Sequence, residues 1–314
     1  MNIWMNSGLQ VETEDFRITL DAEVSESSDF GVISHAHSDH LPRRSSTGSY
    51  VCSDITSRLC KQRVGELSRE SNDSIRMING GHIPGSKAVV IESGGDSILY
   101  TGDFSVRDRL HLNGFEATEA DYLIIESTYG HPRYNFENQE SLESDIVEWF
   151  ETVDSAVCKG YSLGRAQEIE LLSRRAGKDT VLVNKETWNI NSCLEDFGYD
   201  FSTNLYNDEL PEGSVLITSN SNQFESVSES GLESAVFTGW ASDGRYDNLG
   251  VTDEAFVLSD HPDFSELLGV VEEVNPERVF TVHGYKERLA NEIKRRTGIE
   301  ATALKNGQRR LDSF

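Results

Sequence analysis

The feature that most limits the fold of this 314-residue chain is the run HAHSDH at residues 35–40, directly after a short apolar segment. Neutral imidazole and carboxylate groups are ligands that zinc and similar ions prefer. In a loop, His35 and His37 can converge on one ion, and Asp39 and His40 then face a second ion. The run therefore predicts a metal centre at the end of a strand. The alternative, a histidine-rich surface loop, is the weaker interpretation.

Other groups of metal-binding type also fall just past predicted strands. His82 lies in the turn GGHIPGS, where glycines let the backbone approach a ligand. Asp103 ends one predicted strand, and His261 and His283 each follow another. Catalytic groups in layered α/β proteins often collect at that edge of a sheet. Together these residues predict one site assembled from distant segments.

Hydrophobic patterning predicts two kinds of region. The first hundred residues favour strands with short connections, whereas strands alternate with helices after about residue 138, which indicates a small α/β unit with a parallel sheet. The polar stretch 219–234 predicts a surface loop or a poorly formed helix. The predicted strands are 16–20, 31–34, 88–92, 97–101, 122–125, 156–161, 180–184, 214–218, 235–238, 255–259 and 278–282, and the predicted helices are 53–65, 139–153, 165–176 and 264–274.

The charge is strongly acidic. The 54 acidic residues exceed the 28 basic ones, of which only eight are lysines, and the net charge is −26. Such a lysine-poor, acidic surface favours adaptation to high salt, as in haloarchaeal proteins. The overall field cannot attract nucleic acid, but at molar salt the screening length is roughly 3 Å. Only contacts at a local site would then matter.

Several classes of protein are disfavoured. No run of 18 apolar residues is present, so no membrane span is expected. The first residues lack a basic and an apolar signal region, which predicts a cytoplasmic location. The four cysteines, 52, 60, 158 and 193, form no CxxC pair and are interpreted as free thiols rather than zinc ligands.

The ordered motifs HAHSDH, GHIPGS and TGDFS resemble those of the metallo-β-lactamase fold. ESTYG at 126–130, SDH at 259–261, VHG at 282–284 and YSLGRAQE at 161–168 are similar to motifs of its β-CASP nuclease branch. The segment TGW at 238–240, together with residues 256–274, resembles compact members of the mRNA 3′-end processing-like or ligase-associated exonuclease type. The resemblance runs from about residue 16 to 283.

The resemblance implies an α/β fold in which a four-layer αββα sandwich carries an inserted small α/β domain. The sandwich is expected to comprise residues 1–132 and 242–314. The inserted β-CASP-like domain is expected to comprise residues 133–241.

The resemblance also implies roles for individual residues. The first of two zinc ions would be held by His35, His37 and His82, with Asp103 bridging to the second. The second ion would be held by Asp39, His40 and His283. Asp39 is also predicted to be a catalytic residue. Glu126 would orient His261, which would donate a proton to the leaving oxygen.

Substrate contacts are predicted at the start of a helix. The free backbone N–H groups of residues 162–165, notably at Ser162 and Gly164, together with the Arg165 side chain could hold a phosphate. A helix N-terminus bonded only to water is an equal alternative. Arg245, Arg309 and Arg310 are possible substrate contacts as well, but ordinary surface charge is the favoured interpretation.

Three functions are compatible with these residues. The leading hypothesis is a two-zinc nuclease that hydrolyses single-stranded RNA or DNA, as an exonuclease in RNA processing or DNA repair. A metallo-hydrolase of small esters, thioesters or cyclic phosphates is the first alternative, because fold does not fix function. An inactive nucleic-acid-binding subunit is the second. The oligomeric state stays open, a homodimer included.

Overall fold

The computed structural model describes residues 1–6, 8–43, 46–244 and 252–305, and it divides into two compact units. Unit 1 comprises Met1–Val106, Asn113–Pro132 and His261–Phe314. Unit 2 comprises Arg107–Leu112 and Arg133–Asp260. Arg245, Arg309 and Arg310 lie outside the described residues. Strands are numbered β1 to β18 and helices α1 to α7 along the chain.

The first sheet of unit 1 has six strands in sequence order. The first three pair antiparallel and the rest parallel, so the carboxyl end of β4 lies between parallel neighbours. Its strands are β1 (Asn2–Met5), β2 (Leu9–Glu12), β3 (Arg17–Leu20), β4 (Phe30–Val32), β5 (Ser49–Val51) and β6 (Ser68–Arg69).

The second sheet of unit 1 also has six strands, in the order β18-β17-β10-β9-β8-β7. An antiparallel meander, β7 to β9, continues into three parallel strands. Glu126 is therefore at the carboxyl end of a strand flanked by parallel partners. The strands are β7 (Ile75–Asn79), β8 (Lys87–Ser93), β9 (Asp96–Tyr100), β10 (Tyr122–Glu126), β17 (Arg278–Val282) and β18 (Glu300–Ala303).

The two sheets of unit 1 face each other across a buried apolar core. In β8, Val89 and Ile91 belong to this inner core, whereas Ala88 and Val90 pack on the opposite face with residues of α6 (Phe264–Val274) and α7 (Lys286–Thr297). This alternation follows from the two-residue period of a strand. It makes the second sheet an inner layer, covered by helices on one side and by the first sheet on the other.

Side-chain caps fix where the helices of unit 1 begin. Ser53 accepts a hydrogen bond from the Thr56 N–H and starts α1 (Asp54–Arg63). Asp263 starts α6 with a capping box, in which the Glu266 side chain accepts from the Asp263 N–H. Such caps satisfy backbone donors that the first turn leaves unpaired.

Unit 2 contains one six-stranded parallel sheet in the order β13-β12-β14-β11-β15-β16. Buried apolar side chains of the strands pack with those of α2 and α3. Its strands are β11 (Ala156–Lys159), β12 (Thr180–Val183), β13 (Asn204–Leu205), β14 (Ser214–Thr218), β15 (Glu233–Phe237) and β16 (Glu254–Phe256). Its helices are α2 (Gln139–Thr152), α3 (Arg165–Arg175), α4 (Lys185–Glu195) and α5 (Ser221–Ser228).

The α/β class, with a metallo-β-lactamase sandwich and a second small α/β unit, is confirmed. The end of the second unit differs from the sequence prediction of residue 241. Strand β16 pairs in parallel with β15, so the third sheet is complete only after Phe256, and the chain returns to unit 1 at His261. The short segment Arg107–Leu112 also groups with unit 2. No helix within the described ranges is long and apolar enough to cross a membrane.

The interior of unit 2 holds charged groups. Arg109 pairs with Glu168 at 3.3 Å, and both side chains are fully buried. Glu170, also buried, accepts from the Arg174 Nε through one oxygen, whereas its Oε2 has no hydrogen-bond partner. Burial raises the pKa of Glu170 to about 7, although the hydrogen bond and charge of Arg174 lower it.

We predict that Glu170→Gln stabilises the protein at alkaline pH. Between its ordinary pKa of 4.5 and about 7, the unfolded chain releases this proton and the folded chain keeps it, so the free energy of unfolding falls as pH rises. The variant escapes that loss and should gain on the order of 1–3 kcal/mol above neutral pH, with no gain at acidic pH. Urea unfolding across pH measures this. The exposed Glu148→Gln is the matched control, and an equal gain from both variants would contradict the assignment.

Candidate metal centre

The loop after β4 brings three histidines of the HAHSDH run into unit 1. His35 is fully buried, His40 is nearly so, and His37 is half-buried. A short 3₁₀ turn, Ser38–His40, folds the end of the run back, so that the His35 and His40 rings lie 4.1 Å apart between centroids. Three imidazoles on so short a segment are therefore held on one side of the loop.

His82 reaches the same place from the loop after β7. Gly81 precedes it with a φ of +67°, and a Cβ at that position would lie 2.2 Å from the Ser105 carbonyl oxygen. Only glycine fits so close to another backbone segment. The close approach at Gly81 is to a neighbouring segment of the chain, and the predicted approach of this turn to a ligand stays a prediction.

Four predicted ligands converge. Nitrogen and oxygen donors of His35, His37, His82 and Asp103 lie within 4.8 Å of one another. The three ring centroids are 4.8–4.9 Å apart, with interplanar angles of 84–87°. Asp103 Oδ2 is 3.7 Å from the His35 Nε2 and 4.0 Å from the His82 Nε2. The His37 Nδ1 and the His82 Nε2 are hydrogen-bonded to each other at 3.0 Å. Such a set fits a cation such as zinc, since all four side chains carry atoms of the type that zinc binds.

A buried, unpartnered nitrogen supports this fit. The His35 Nε2 atom has no hydrogen-bond partner, although the ring is fully buried. The Ser34 hydroxyl donates to Asp21 at 2.5 Å and so accepts from the His35 Nδ1–H at 2.9 Å. That leaves a lone pair on Nε2, directed at the cluster. A bare buried acceptor is costly, and a metal ion would satisfy it.

A second donor group shares Asp103. Atoms of His40, Asp103 and His283 also lie within 4.8 Å of one another, with the His40 Nε2 3.3 Å from Asp103 Oδ2. His283 is exposed and has a φ of +59°. Gly284 follows in the same region of backbone space, and a Cβ there would meet the Ser127 carbonyl oxygen at 2.2 Å. The structure thus brings together six of the seven predicted ligands in two groups joined by one carboxylate.

Asp39 is the seventh predicted ligand. Its Oδ2 lies 3.7 Å from the His40 Nε2, but its side chain is 83% exposed. It belongs to neither donor group. Its roles as ligand and catalytic residue stay predictions.

The buried ionisable groups of the centre shift one another's pKa values. Burial opposes ionisation of Asp103, but the neighbouring imidazoles, His40 first, hold its pKa well below the usual range. Burial also lowers the pKa of His35, whereas Asp103 and Asp21 overcome burial to raise that of His40 well above its ordinary value. The centre is therefore an ionised carboxylate among histidines of unequal basicity.

His261 and Glu126 form the pair that the motifs predicted. The His261 Nδ1 atom and Glu126 Oε1 are 2.6 Å apart, and the second Glu126 oxygen accepts from the Thr128 N–H. Glu126 is fully buried, and His261 is 18% exposed. Donor atoms of both residues lie within 4.8 Å of Asp103. This pair stands at the edge of the metal-type cluster.

The predicted substrate contacts lie in unit 2 and have internal partners. The Arg165 guanidinium, which is nearly buried, donates to Asp260 at 2.5 Å and to the Phe237 carbonyl at 2.8 Å. The Gly164 N–H donates to the Gln167 side chain, and Ser162 is buried. These bonds hold the start of α3. A contact of these residues with phosphate stays a prediction.

Asp21, which no sequence motif indicated, orients two of the histidines. This buried carboxylate accepts from the Ser34 N–H and hydroxyl, from the Tyr100 hydroxyl at 2.7 Å, and from the His40 Nδ1 at 3.0 Å. It thereby fixes the tautomer of His40, and through Ser34 that of His35. Its only signal in the sequence is an aspartate at the end of an apolar strand.

Comparisons with known proteins agree with the geometry. A family model described as "Zn-dependent metallo-hydrolase RNA specificity domain" matches residues 254–304. A protein of Opitutus terrae named "Probable DNA ligase" is 32% identical over 305 residues, 91% of this chain. These matches, together with the motifs, support a nuclease of the β-CASP branch of the metallo-β-lactamase family.

Further comparisons show how far the likeness to known proteins extends. A "RNase J-like protein" of Methanocaldococcus jannaschii is 29% identical over 222 residues, 55% of this chain. The chain spans only 29% of the Opitutus protein and 53% of the Methanocaldococcus protein. A crystal structure of a protein of unknown function from Enterococcus faecalis covers 99% of this chain and 98% of its own, with a TM-score of 0.62 and 14% identity, and so supports the fold.

We predict that Asp21→Asn weakens metal binding. An amide can donate to the His40 Nδ1 and would favour the wrong tautomer, so zinc affinity should fall about 10–100-fold. Competition with a chromophoric chelator measures this without any enzymatic assay. Asp73→Asn, at an exposed turn of the same unit, should leave zinc affinity unchanged. Wild-type affinity in Asp21→Asn would contradict the positioning role.

Proposed function

We propose that this chain is a zinc-dependent nuclease that hydrolyses phosphodiester bonds of single-stranded nucleic acid, releasing nucleotides from an end of the strand. One observation carries the proposal: two donor groups share Asp103, and the His261–Glu126 pair lies beside that same carboxylate. Metal ligands alone would fit many hydrolases, whereas an added carboxylate-bound histidine fits a reaction whose leaving group needs a proton.

The ligands divide into two sets. His35, His37 and His82 would hold one zinc ion and His40 and His283 the other, with Asp103 between them. Paired zinc ions supply a hydroxide at neutral pH and neutralise phosphate oxygens. This local positive charge is what a chain of net charge −26 needs to admit a polyanion.

The chain's own contribution to bond cleavage is a positioned proton donor. Glu126 accepts from the His261 Nδ1, which leaves the Nε2 to hold the proton for the departing oxygen. A carboxylate on one ring nitrogen orients the ring and stabilises the imidazolium. Because Glu126 is fully buried and its other oxygen is bound by the Thr128 N–H, its position is fixed before substrate arrives.

The nature of the polymer is supported from two sides. The family model carries "RNA specificity" in its description and one relative is named as RNase J-like, whereas the relative aligned over 91% of the chain is named as a DNA ligase. We therefore propose single-stranded nucleic acid as the substrate class, in RNA processing or DNA repair. A cytoplasmic location and a homodimer stay predictions.

A time course with end-labelled single strands tests the proposal. We expect wild-type protein at high salt to shorten RNA or DNA from one end, to stop on addition of chelator, and to recover on addition of zinc. The two polymers and both labelled ends show specificity and polarity together. Turnover of small esters or thioesters, with no cleavage of either polymer, would overturn the proposal in favour of the small-molecule hydrolase.

We predict that His261→Ala retains bound zinc but loses about 10²–10⁴-fold in the rate of oligonucleotide cleavage. A nucleotide p-nitrophenyl ester has a leaving group that departs without protonation, so its hydrolysis should fall far less. Metal content and the two rates measure this. Glu126→Gln should show the same pattern in milder form. An equal loss on both substrates would mean that His261 has another role.

A further inference from the structure

Unit 2 has a cleft at the carboxyl ends of three adjacent parallel strands. Lys159 and Tyr161 line it from β11 and the segment after it, Ser219 from the end of β14, and Thr238 and Trp240 from the end of β15. Its volume is about 180 Å³. All of these residues belong to unit 2, so the cleft can be described within that unit alone.

The sheet topology marks this edge as a binding position. Strand β11 lies between β14 and β15. From β11 the chain continues to β12, which lies on the β14 side of β11. Later it passes from β14 to β15, which lies on the opposite side of β11. In open parallel sheets, ligands bind outside the carboxyl ends of the strands where the connections diverge in this way.

The polar groups of the cleft are donors. Lys159 is the half-buried cation here, and within the described residues no carboxylate lies within 4 Å of it; its ammonium lies 5.7 Å from the Phe224 ring centroid. The Ser219 hydroxyl already accepts from the Asn184 amide, and the Thr238 hydroxyl from the Trp240 N–H. Each hydroxyl therefore keeps its hydrogen for an incoming acceptor, and the three groups suit a phosphate.

An aromatic side chain completes the cleft. Tyr161 is 66% exposed, more than any other large hydrophobic side chain within the described ranges. Trp240 is only half-buried, and its ring packs edge-on against Tyr134. Exposed aromatic rings beside a cation provide the stacking surface on which single-stranded nucleic acids bind, since every base has a flat face.

The size of the cleft limits its ligand. Sites that enclose a whole cofactor or drug-sized molecule occupy about 300–1,000 Å³, and this cleft is smaller. We propose that it binds one nucleotide unit of single-stranded nucleic acid, with the base stacked on Tyr161 and the phosphate held by Lys159, Ser219 and Thr238. The inference rests on the proposed function and adds contacts in unit 2 beyond the predicted ones at Ser162, Gly164 and Arg165.

Binding by metal-free protein tests this inference apart from cleavage. With fluorescein-labelled oligouridylate and oligothymidylate in the presence of chelator, fluorescence anisotropy should show about 5- to 100-fold weaker binding by Tyr161→Ala and wild-type binding by Tyr161→Phe. Lys159→Gln should weaken binding and lower the salt dependence by about one phosphate contact. Phe197→Ala, also at a partly exposed aromatic ring, should bind as wild type.

Three outcomes would overturn the inference. Wild-type binding by Tyr161→Ala would exclude the stacking contact. Equal losses in Tyr161→Ala and Phe197→Ala, or a lowered melting temperature in Tyr161→Ala, would indicate a general effect on unit 2. Binding of free uridine or thymidine monophosphate as tightly as the strand would make the cleft a mononucleotide site. Failure of the nuclease proposal would instead appear as absent cleavage by wild-type protein, so the two failures are distinguishable.

Discussion

The structure of unit 1 depends on the concentration of imidazoles around one buried carboxylate. Asp103 lies within 4 Å of nitrogens from His35, His40 and His82. A buried carboxylate is costly unless it is paired, and here the neighbouring imidazoles hold its pKa low. The same arrangement leaves a lone pair on His35 without a partner. A bound cation would pair with the buried carboxylate and would also accept the lone pair of His35. Folding of this region and metal binding therefore use the same residues.

Much of this centre could be predicted from strand ends. His35, Asp103 and His283 each follow a predicted strand of unit 1, and the two sheets of that unit bring those strand ends together. His82 follows β7, a strand that was not predicted. Asp21 escaped prediction because a single aspartate after a strand is common, and only the fold shows that it contacts both Ser34 and His40. Sequence patterns indicate which residues could bind a metal or transfer a proton. The residues that orient those groups are recognised only from their contacts in the folded structure.

In unit 2 as well, contacts that the sequence does not reveal become visible only in the folded structure. The motif at the start of α3 predicts a phosphate contact, but Arg165 donates to Asp260 and Phe237, and the Gly164 N–H donates to Gln167. These internal bonds hold the motif in place, and its contact with phosphate stays a prediction. The boundary predicted at residue 241 differs from the observed one for a related reason: β16 is only three residues long, and its membership of the third sheet depends on pairing that its composition does not reveal.

The backbone at His283 and Gly284 has a consequence for the proposed two-ion centre. Both residues are left-handed, and a single added methyl group at position 284 would collide with the Ser127 carbonyl. That collision would displace His283, whereas His35, His37 and His82 reside on other loops. A one-carbon change outside the coordination shell could therefore yield a mononuclear form of the centre, in which the separate contribution of each cation to the chemistry becomes measurable.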